Sequence, residues 1–265
     1  MVTADRMRAI AVACLAASTL LLSSCAMGRA ATTGDPDLPQ GDEPVTLDPA
    51  RFSTDIDNPY WPMVPGTRSV YREVDADGIE QTVVVTITTA TREIANGVTA
   101  RVVRDSVFRG DELVEDTFDW YAQDSDGAIW YLGEDTAEFE NGRSVSKEGS
   151  FEAGVDGAMA GVALPADPEP GDKYRQEYYR GQAEDEGEVM RTTELVDVPF
   201  GHYERVLTTR DTTPLEPGVV EYKFYARGVG PVMTVDVAGG SGREVLVDIT
   251  TVPPGTGTAP LGHPD

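Results

Sequence analysis

Hydrophobic and polar residues alternate along most of the chain between residues 52 and 252. In the runs Gln81–Thr89 and Glu244–Thr251, valine and isoleucine recur at every second position. A two-residue period is typical of β-strands with one buried face and one wet face. Few stretches show the period of an amphipathic helix. The pattern therefore predicts an all-β domain built from antiparallel strands.

Turn signals separate the alternating runs. The dipeptides Asn96-Gly97, Asp126-Gly127 and Asn141-Gly142 favour tight hairpin turns. We predict an antiparallel meander of about 11–13 strands, which is too many for one flat open sheet. The sheet is expected to curl into a barrel, a half-barrel or a sandwich. Ala153–Pro170 is predicted to be a long loop, because glycine and proline interrupt it. A strand is predicted to follow at Lys173–Arg180.

The N-terminus has the layout of an export signal. Arg6 and Arg8 precede an uncharged run, Ala9–Leu22, which is shorter than the roughly 20 apolar residues that a spanning helix needs. The run leads into the tetrapeptide LSSC at positions 22–25. This tetrapeptide resembles the lipobox of bacterial lipoproteins, which implies that Cys25 is the lipidated first residue of the mature protein. An ordinary secretory signal with a chance cysteine is the alternative.

The predicted domain organisation follows from these features. Residues 1–24 form a lipoprotein signal peptide, 25–51 a flexible tether, 52–252 a single β domain and 253–265 a disordered tail. The chain has two cysteines. Cys14 lies in the predicted signal and Cys25 is predicted to carry lipid. The mature domain is therefore expected to have no disulfide and no thiolate chemistry.

Charge excludes some classes of partner. Lys and Arg number 21 against 46 Asp and Glu, which gives a net charge of −25. This balance argues against nucleic acid as a partner, because phosphate binding needs a basic face. The folded part is also not expected to dock electrostatically on anionic lipid. The acidic residues are spread along the chain, which favours a role in solubility over a cation-binding surface.

An Asp-x-Asp-Gly turn at Asp124–Gly127 is the best candidate for a metal site. Closely spaced carboxylates suit calcium, and Asp124, Asp126, Glu134 and Asp135 are the residues that would hold it. An EF-hand frame fails here, because Ala122 would occupy the first ligand position and Gly133 the last. A hairpin turn accounts for all the residues. We therefore predict turns and no metal ligands.

No catalytic motif stands out in the sequence. The chain contains no His-Glu-x-x-His, Gly-x-Ser-x-Gly or phosphate-loop motif. We predict no catalytic residues, no cofactor and no enzymatic activity, with a two-carboxylate hydrolase as the less favoured alternative. Four aromatic residues flank the Asp126-Gly127 turn. They are Trp120, Tyr121, Trp130 and Tyr131. If exposed, they would form a platform for a sugar or a lipid. If buried, which is the favoured interpretation, they are partners in the core.

Four segments of the chain carry a resemblance to known proteins: NPYWPMVPGT at 58–67, DWYAQDSDGAIWYLGED at 119–135, PGDKYRQEYY at 170–179 and YARGVGPV at 225–232. Together they resemble a family of uncharacterised bacterial exported proteins, many of them lipoproteins. The resemblance implies an exported, lipid-anchored domain and carries over no catalytic residue. At the level of the fold, the chain is similar to half-barrel carriers of lipids and lipoproteins.

These features together predict a lipid-anchored protein of the bacterial cell envelope, with its domain on the extracytoplasmic side of a membrane. We expect a non-catalytic protein that binds an apolar or small ligand in a curved β-sheet. A structural or partner-binding envelope lipoprotein without a small ligand is the main alternative.

Overall fold

The alternating segments form antiparallel strands, as the sequence predicts. The computed structural model describes residues 38–75 and 78–264, all within one compact unit. In this part of the chain, the one helical element is a 3₁₀ turn, Pro49–Arg51. Asp48 caps this turn by accepting a hydrogen bond from the Ala50 amide. Over the same residues, no helix has the length and apolar character needed to cross a membrane.

The described residues contain 16 strands. In chain order they are β1 (Phe52–Ser53), β2 (Thr67–Val74), β3 (Glu80–Glu93), β4 (Thr99–Arg109), β5 (Glu112–Asp124), β6 (Ile129–Glu140), β7 (Arg143–Ser146), β8 (Phe151–Glu152), β9 (Met159–Leu164), β10 (Lys173–Arg175), β11 (Glu177–Tyr178), β12 (Glu186–Val198), β13 (Gly201–Thr212), β14 (Val220–Ala226), β15 (Gly230–Ala238) and β16 (Arg243–Thr251).

Most strands lie on one continuous hydrogen-bonded path. Its order is β10-β12-β13-β14-β15-β16-β2-β3-β4-β5-β6-β9-β11, and the short strands β1, β7 and β8 pair with β5 or β6 beside it. Two hairpin series, β2–β6 and β12–β16, are joined by the pairing of β16 with β2. The strand pairs are antiparallel. The prediction of an all-β antiparallel meander curled into a barrel-like sheet is confirmed.

The sheet is nearly closed, because the two ends of the strand path are adjacent in the chain. Strands β10 and β11 are separated by Gln176 alone. Beside this junction, the Arg175 guanidinium donates a hydrogen bond of 2.9 Å from Nη2 to the Ala160 carbonyl of β9. A Cβ at Gly161 would lie 2.4 Å from the Gln176 carbonyl carbon. The two edges therefore meet at a point where the backbones approach too closely for a side chain.

Gly161→Ala is expected to destabilise the fold by about 1–3 kcal/mol, because the added methyl group would force the two backbones apart. Urea denaturation followed by circular dichroism measures the loss. Gly218→Ala is the matched control, since a Cβ there meets nothing within 4 Å. Its stability should stay within about 0.5 kcal/mol of the parent. Equal stabilities of the two variants would contradict the close approach.

Two sequence expectations about the centre of the chain are wrong. Ala153–Pro170 is not one long loop, because Met159–Leu164 forms β9 and pairs with β6 and β11. Its small and apolar residues are largely buried, and Gly161 sits where a close approach requires glycine. The predicted strand Lys173–Arg180 is divided into β10 and β11, which pair with opposite ends of the strand path.

Several described residues of the expected tether and tail contact the sheet. On the N-terminal side, Arg175 Nη1 donates to the carbonyls of Gly41, at 2.7 Å, and Glu43, at 2.8 Å. On the C-terminal side, Arg104 Nη1 donates to the Ala259 carbonyl at 2.8 Å. These segments lack a hydrophobic period, but their backbone carbonyls satisfy buried guanidinium groups.

Candidate functional site

The inner face of the sheet is defined by side chains that meet across it. Trp61 contacts Tyr121 of β5 and Tyr225 of β14, with ring centroids 5.3 and 5.6 Å apart. These two strands are separated on the path by β15, β16, β2, β3 and β4, so only the concave side can bring their side chains together. Residues that alternate in phase with Tyr121 and Tyr225 therefore face the interior.

Carboxyl groups line this interior. On β5, Glu115 and Asp119 alternate in phase with Tyr121, and Asp105 of β4 lies opposite Thr117. Electrostatic interactions link these groups to one another and to acidic residues elsewhere in the chain, Glu134, Glu177 and Asp185. We call the linked set the inner acidic cluster: Asp105, Glu115, Asp119, Glu134, Glu177 and Asp185.

Tyr131 holds two members of the cluster together. Its hydroxyl lies 2.7 Å from Asp119 Oδ1 and 2.7 Å from Glu134 Oε2. The ring stacks on Tyr121, with centroids 5.0 Å apart, and meets Phe151 edge-on. A β-bulge between Asp119 and Tyr121 allows this arrangement, because it shifts the register so that Asp119 faces Glu134 across the strands.

The interior favours protonated carboxyl groups. Burial raises the pKa of Asp119 to about 7, against a partly compensating hydrogen bond from Tyr131. Burial and the Asp119 charge raise the pKa of Glu134 to about 8. Burial also raises the pKa of Asp105 well above its ordinary value, with the Asp119 charge as the next cause. Yet all three residues are partly exposed, so solvent reaches part of this interior.

A cationic group lies on the other wall of the interior. Lys223 Nζ is 2.9 Å from Asp211 Oδ2, and Asp211 also accepts hydrogen bonds from Thr209 and Gln176. Nearby acidic groups, Asp211 first, raise the pKa of Lys223 well above its ordinary value despite its burial. Lys223 is therefore charged and already engaged, and it does not neutralise the carboxyl groups around Tyr131.

One tyrosine hydroxyl on this wall lacks a partner. Tyr174 is 1% exposed, and its hydroxyl finds no hydrogen-bond partner among the described residues. The register places Tyr174 opposite Gly187, Gly187 opposite Asp211 and Asp211 opposite Glu221, so these residues share the inner face. A Cβ at Gly187 would lie 2.6 Å from Tyr174 Cζ, so only glycine admits the ring there.

The calcium candidates do not converge. Asp124 Oδ1 accepts hydrogen bonds from the amides of Asp126, Gly127 and Ala128, at 3.0, 2.9 and 3.0 Å, as a turn requires. Asp126 pairs with Arg51 at the surface, and Asp135 pairs with Lys147. Glu134 contacts Tyr131 in the interior. Within residues 38–75 and 78–264, no group of three or more histidine, cysteine or acidic side chains is arranged to hold a metal ion.

The other predicted site residues fall into two groups. Cys25 and the signal sequence lie outside the described residues. Of the four aromatic residues, Trp120 is buried on the opposite face of β5 from Tyr121, with the Arg92 guanidinium 4.0 Å from its ring centroid. Trp130 packs edge-on against Phe52 and donates from Nε1 to Asp124 at 2.8 Å. Tyr121 and Tyr131 lie on the inner face, beside the inner acidic cluster.

Sequence reasoning missed most of this site. Asp119, Tyr131 and Glu177 stand in segments that the sequence analysis singled out, but nothing in those segments marks the residues as facing one another. Strand alternation places Asp119 and Tyr121 on one face of β5. This alternation predicts that the two side chains share a face. It does not predict that this face of β5 is the one inside the curved sheet.

Comparisons with known proteins find fold similarity alone. No protein-family model matches the chain, and no curated protein matches it. A crystal structure from Bacteroides fragilis, of a protein assigned as exported with a YmcC-like fold, is 17% identical, covers 72% of this chain and 99% of its own, and has a TM-score of 0.43. A protein from Parabacteroides distasonis assigned as a lipoprotein is 12% identical, with coverages of 72% and 98% and a TM-score of 0.39.

Proposed function

We propose that this protein is a lipid-anchored protein of the bacterial cell envelope that binds a small polar ligand inside its barrel-like sheet and does not catalyse a reaction. The lipobox-like tetrapeptide ending at Cys25 supports the anchor and the extracytoplasmic position. The observation that carries the binding function is the inner acidic cluster, whose carboxyl groups are held deep in the molecule but remain partly accessible.

A polar ligand fits this interior better than the apolar ligand that the sequence suggests. An apolar molecule would cover Asp105, Asp119 and Glu134 without offering them hydrogen bonds, and desolvating such groups is costly. Tyr174 adds a hydroxyl without a partner to the same inner face. A ligand with donors and acceptors would satisfy groups that the described residues leave unsatisfied.

The hydrolase alternative has one observation in its favour. Asp119 Oδ1 and Glu134 Oε2 both lie 2.7 Å from one hydroxyl oxygen, so they are at most about 5.4 Å apart. Carboxyl groups about 5–5.5 Å apart are typical of retaining glycosidases. Here, however, the Tyr131 hydroxyl lies between the two carboxyl groups, where the sugar carbon would have to sit. The arrangement therefore favours binding over glycoside cleavage.

Native mass spectrometry of protein purified from envelope membranes tests the proposed function. The folded protein is expected to carry a small mass beyond the lipidated polypeptide, and denaturation should release it. Asp119→Asn should reduce the retained fraction. Asp126→Asn, which changes a surface carboxyl of the same type, should not. A folded protein that never carries an added mass, even after incubation with small polar compounds, would contradict the proposal.

A further inference from the structure

The contacts of Tyr131 require a proton in addition to its own. A phenol has one hydrogen and can donate to one acceptor. Its oxygen is nevertheless 2.7 Å from a carboxyl oxygen on either side. Both contacts are hydrogen bonds only if one of the two carboxyl groups is protonated and donates to the phenol oxygen. The trio Asp119–Tyr131–Glu134 thus binds one exchangeable proton.

The groups that face this trio are predominantly acidic. Asp105 reaches it from β4, Glu115 from the same strand as Asp119, and Glu177 from β11. Asp185 also interacts with Glu134. Tyr121 contributes a ring and a neutral hydroxyl, since burial raises the pKa of Tyr121 well above its ordinary value. Lys223 reaches Glu177 electrostatically but is held by Asp211 at 2.9 Å.

Two polar atoms of the interior lack partners and are independent of the trio's own hydrogen bonds. Asp105 Oδ1 is buried and accepts no hydrogen bond from the described residues. The hydroxyl of Tyr174, on the opposite wall, is also buried and has no hydrogen-bond partner among the described residues. The interior therefore offers an acceptor on the strand next to Asp119 and a hydroxyl near Asp211 and Lys223. Together they suit a ligand with a donor-rich cationic end and a polar second end.

Resting on the proposed function, we propose that the ligand carries a primary ammonium group, which binds at Asp119 and Glu134 in place of the proton shared through Tyr131. One positive charge enters with the ammonium and one leaves as the proton, which passes to solvent, so charge balances. An ammonium has three N–H donors. They match the two carboxylates and Asp105 Oδ1, while the rings of Tyr121 and Tyr131 cover the adjoining methylene groups.

Calorimetric titration with a linear amino alcohol tests this exchange. In two buffers of different ionisation heat at about pH 7.5, the difference in observed heat gives the protons released per ligand bound, and about one is expected. Near this pH, affinity should fall as the pH is lowered, approaching tenfold per pH unit once the trio is fully protonated. The matched diol, with a hydroxyl in place of the ammonium, and the trimethylated amine, which has no N–H donor, should bind at least tenfold more weakly.

Variants test whether the ammonium group binds at the Asp119–Tyr131–Glu134 trio. Glu134→Gln should weaken the amino alcohol by tenfold or more and abolish proton release, because the amide needs no shared proton. Glu138→Gln is the matched control, an exposed glutamate on the same strand, and should leave both quantities unchanged. Circular dichroism and thermal melting establish that each variant is folded.

Several outcomes would overturn the exchange. If the diol binds as tightly as the amino alcohol, small-ligand binding stands and the ammonium class is wrong. If the amine binds without releasing a proton, or if Glu138→Gln weakens it as much as Glu134→Gln, attraction to the acidic surface explains the result and the assigned site is wrong. The proposed function itself fails only if, in addition, the native protein retains no small molecule of any kind.

Discussion

Arg104→Met is expected to destabilise the protein by about 3–5 kcal/mol, because it leaves a buried carboxylate without its cation. Arg104 and Asp116 are 2% and 0% exposed, and Arg104 Nη2 lies 2.5 Å from Asp116 Oδ2. A second hydrogen bond of 2.9 Å from Arg104 Nε makes the pair bidentate. Urea denaturation at neutral pH measures the loss in the free energy of unfolding.

The same substitution should loosen the C-terminal segment. Arg104 donates to the carbonyls of Ala259 and Pro260, and Asp116 accepts from the Gly262 amide at 2.7 Å. Limited proteolysis should therefore cleave the segment after Pro253 faster in the variant than in the parent protein. The ion pair connects two strands of the sheet to a segment about 150 residues later in the chain.

Two further variants separate charge burial from packing. Arg51→Met removes the cation of an exposed pair with Asp126, whose side chains are 52% and 72% exposed, and should cost no more than about 1 kcal/mol. In Arg104→Met/Asp116→Leu, no charge is left unpaired, so the double variant should be more stable than Arg104→Met. Similar small losses in Arg104→Met and Arg51→Met would show that the buried pair contributes little.

Stability is expected to decrease as the pH rises from about 6 to 9. Burial raises the pKa of Asp119 to about 7, of Glu134 to about 8 and of Glu244 to about 7. A carboxyl whose pKa is higher in the folded state than in the unfolded chain binds its proton more tightly when folded. Its contribution is fully present below the unfolded pKa, near 4, and is lost as the pH rises through the folded pKa.

Between the unfolded pKa and the folded pKa of a group, the expected loss in the free energy of unfolding is about 1.4 kcal/mol for each pH unit. Together the three groups should lower the free energy of unfolding by several kcal/mol between pH 6 and pH 9, as measured by urea denaturation at a series of pH values. Glu134→Gln should flatten the curve, and Glu138→Gln should leave its slope unchanged. Stability that is constant or increases over this range would contradict the raised pKa values.

The hairpins could be predicted because their information is local. Asp124 and Gly127 define a turn by themselves, since the carboxylate accepts three successive amides and the glycine adopts a φ of 103°. The long strands on either side follow from alternation in the same way. The alternating runs Gln81–Thr89 and Glu244–Thr251 accordingly lie within β3 and β16, and the second run matches its strand to within one residue.

The interior could not be predicted, because it depends on which face of each strand is covered by distant chain segments. On β5 the apolar residues Phe118 and Trp120 suggest the core face, and Asp119 suggests the wet face. In the structure, segments far along the chain cover the side that bears Asp116 and Trp120, whereas Asp119 and Tyr121 point inward. A single-residue bulge then decides that Asp119 meets Glu134. Neither the covering segments nor the bulge has a signal in the local pattern.

The closure of the sheet at Gln176 also bears on how the protein behaves among many copies of itself. An open sheet presents unpaired amides and carbonyls along its edge strands, and these can template pairing with another chain. Here the strand path ends in two short strands, β10 with three residues and β11 with two. The guanidinium of Arg175 donates a hydrogen bond to the carbonyl of Ala160. A lipid anchor would concentrate copies in two dimensions with their domains side by side. Short, occupied edges should keep these copies from joining into a continuous intermolecular sheet.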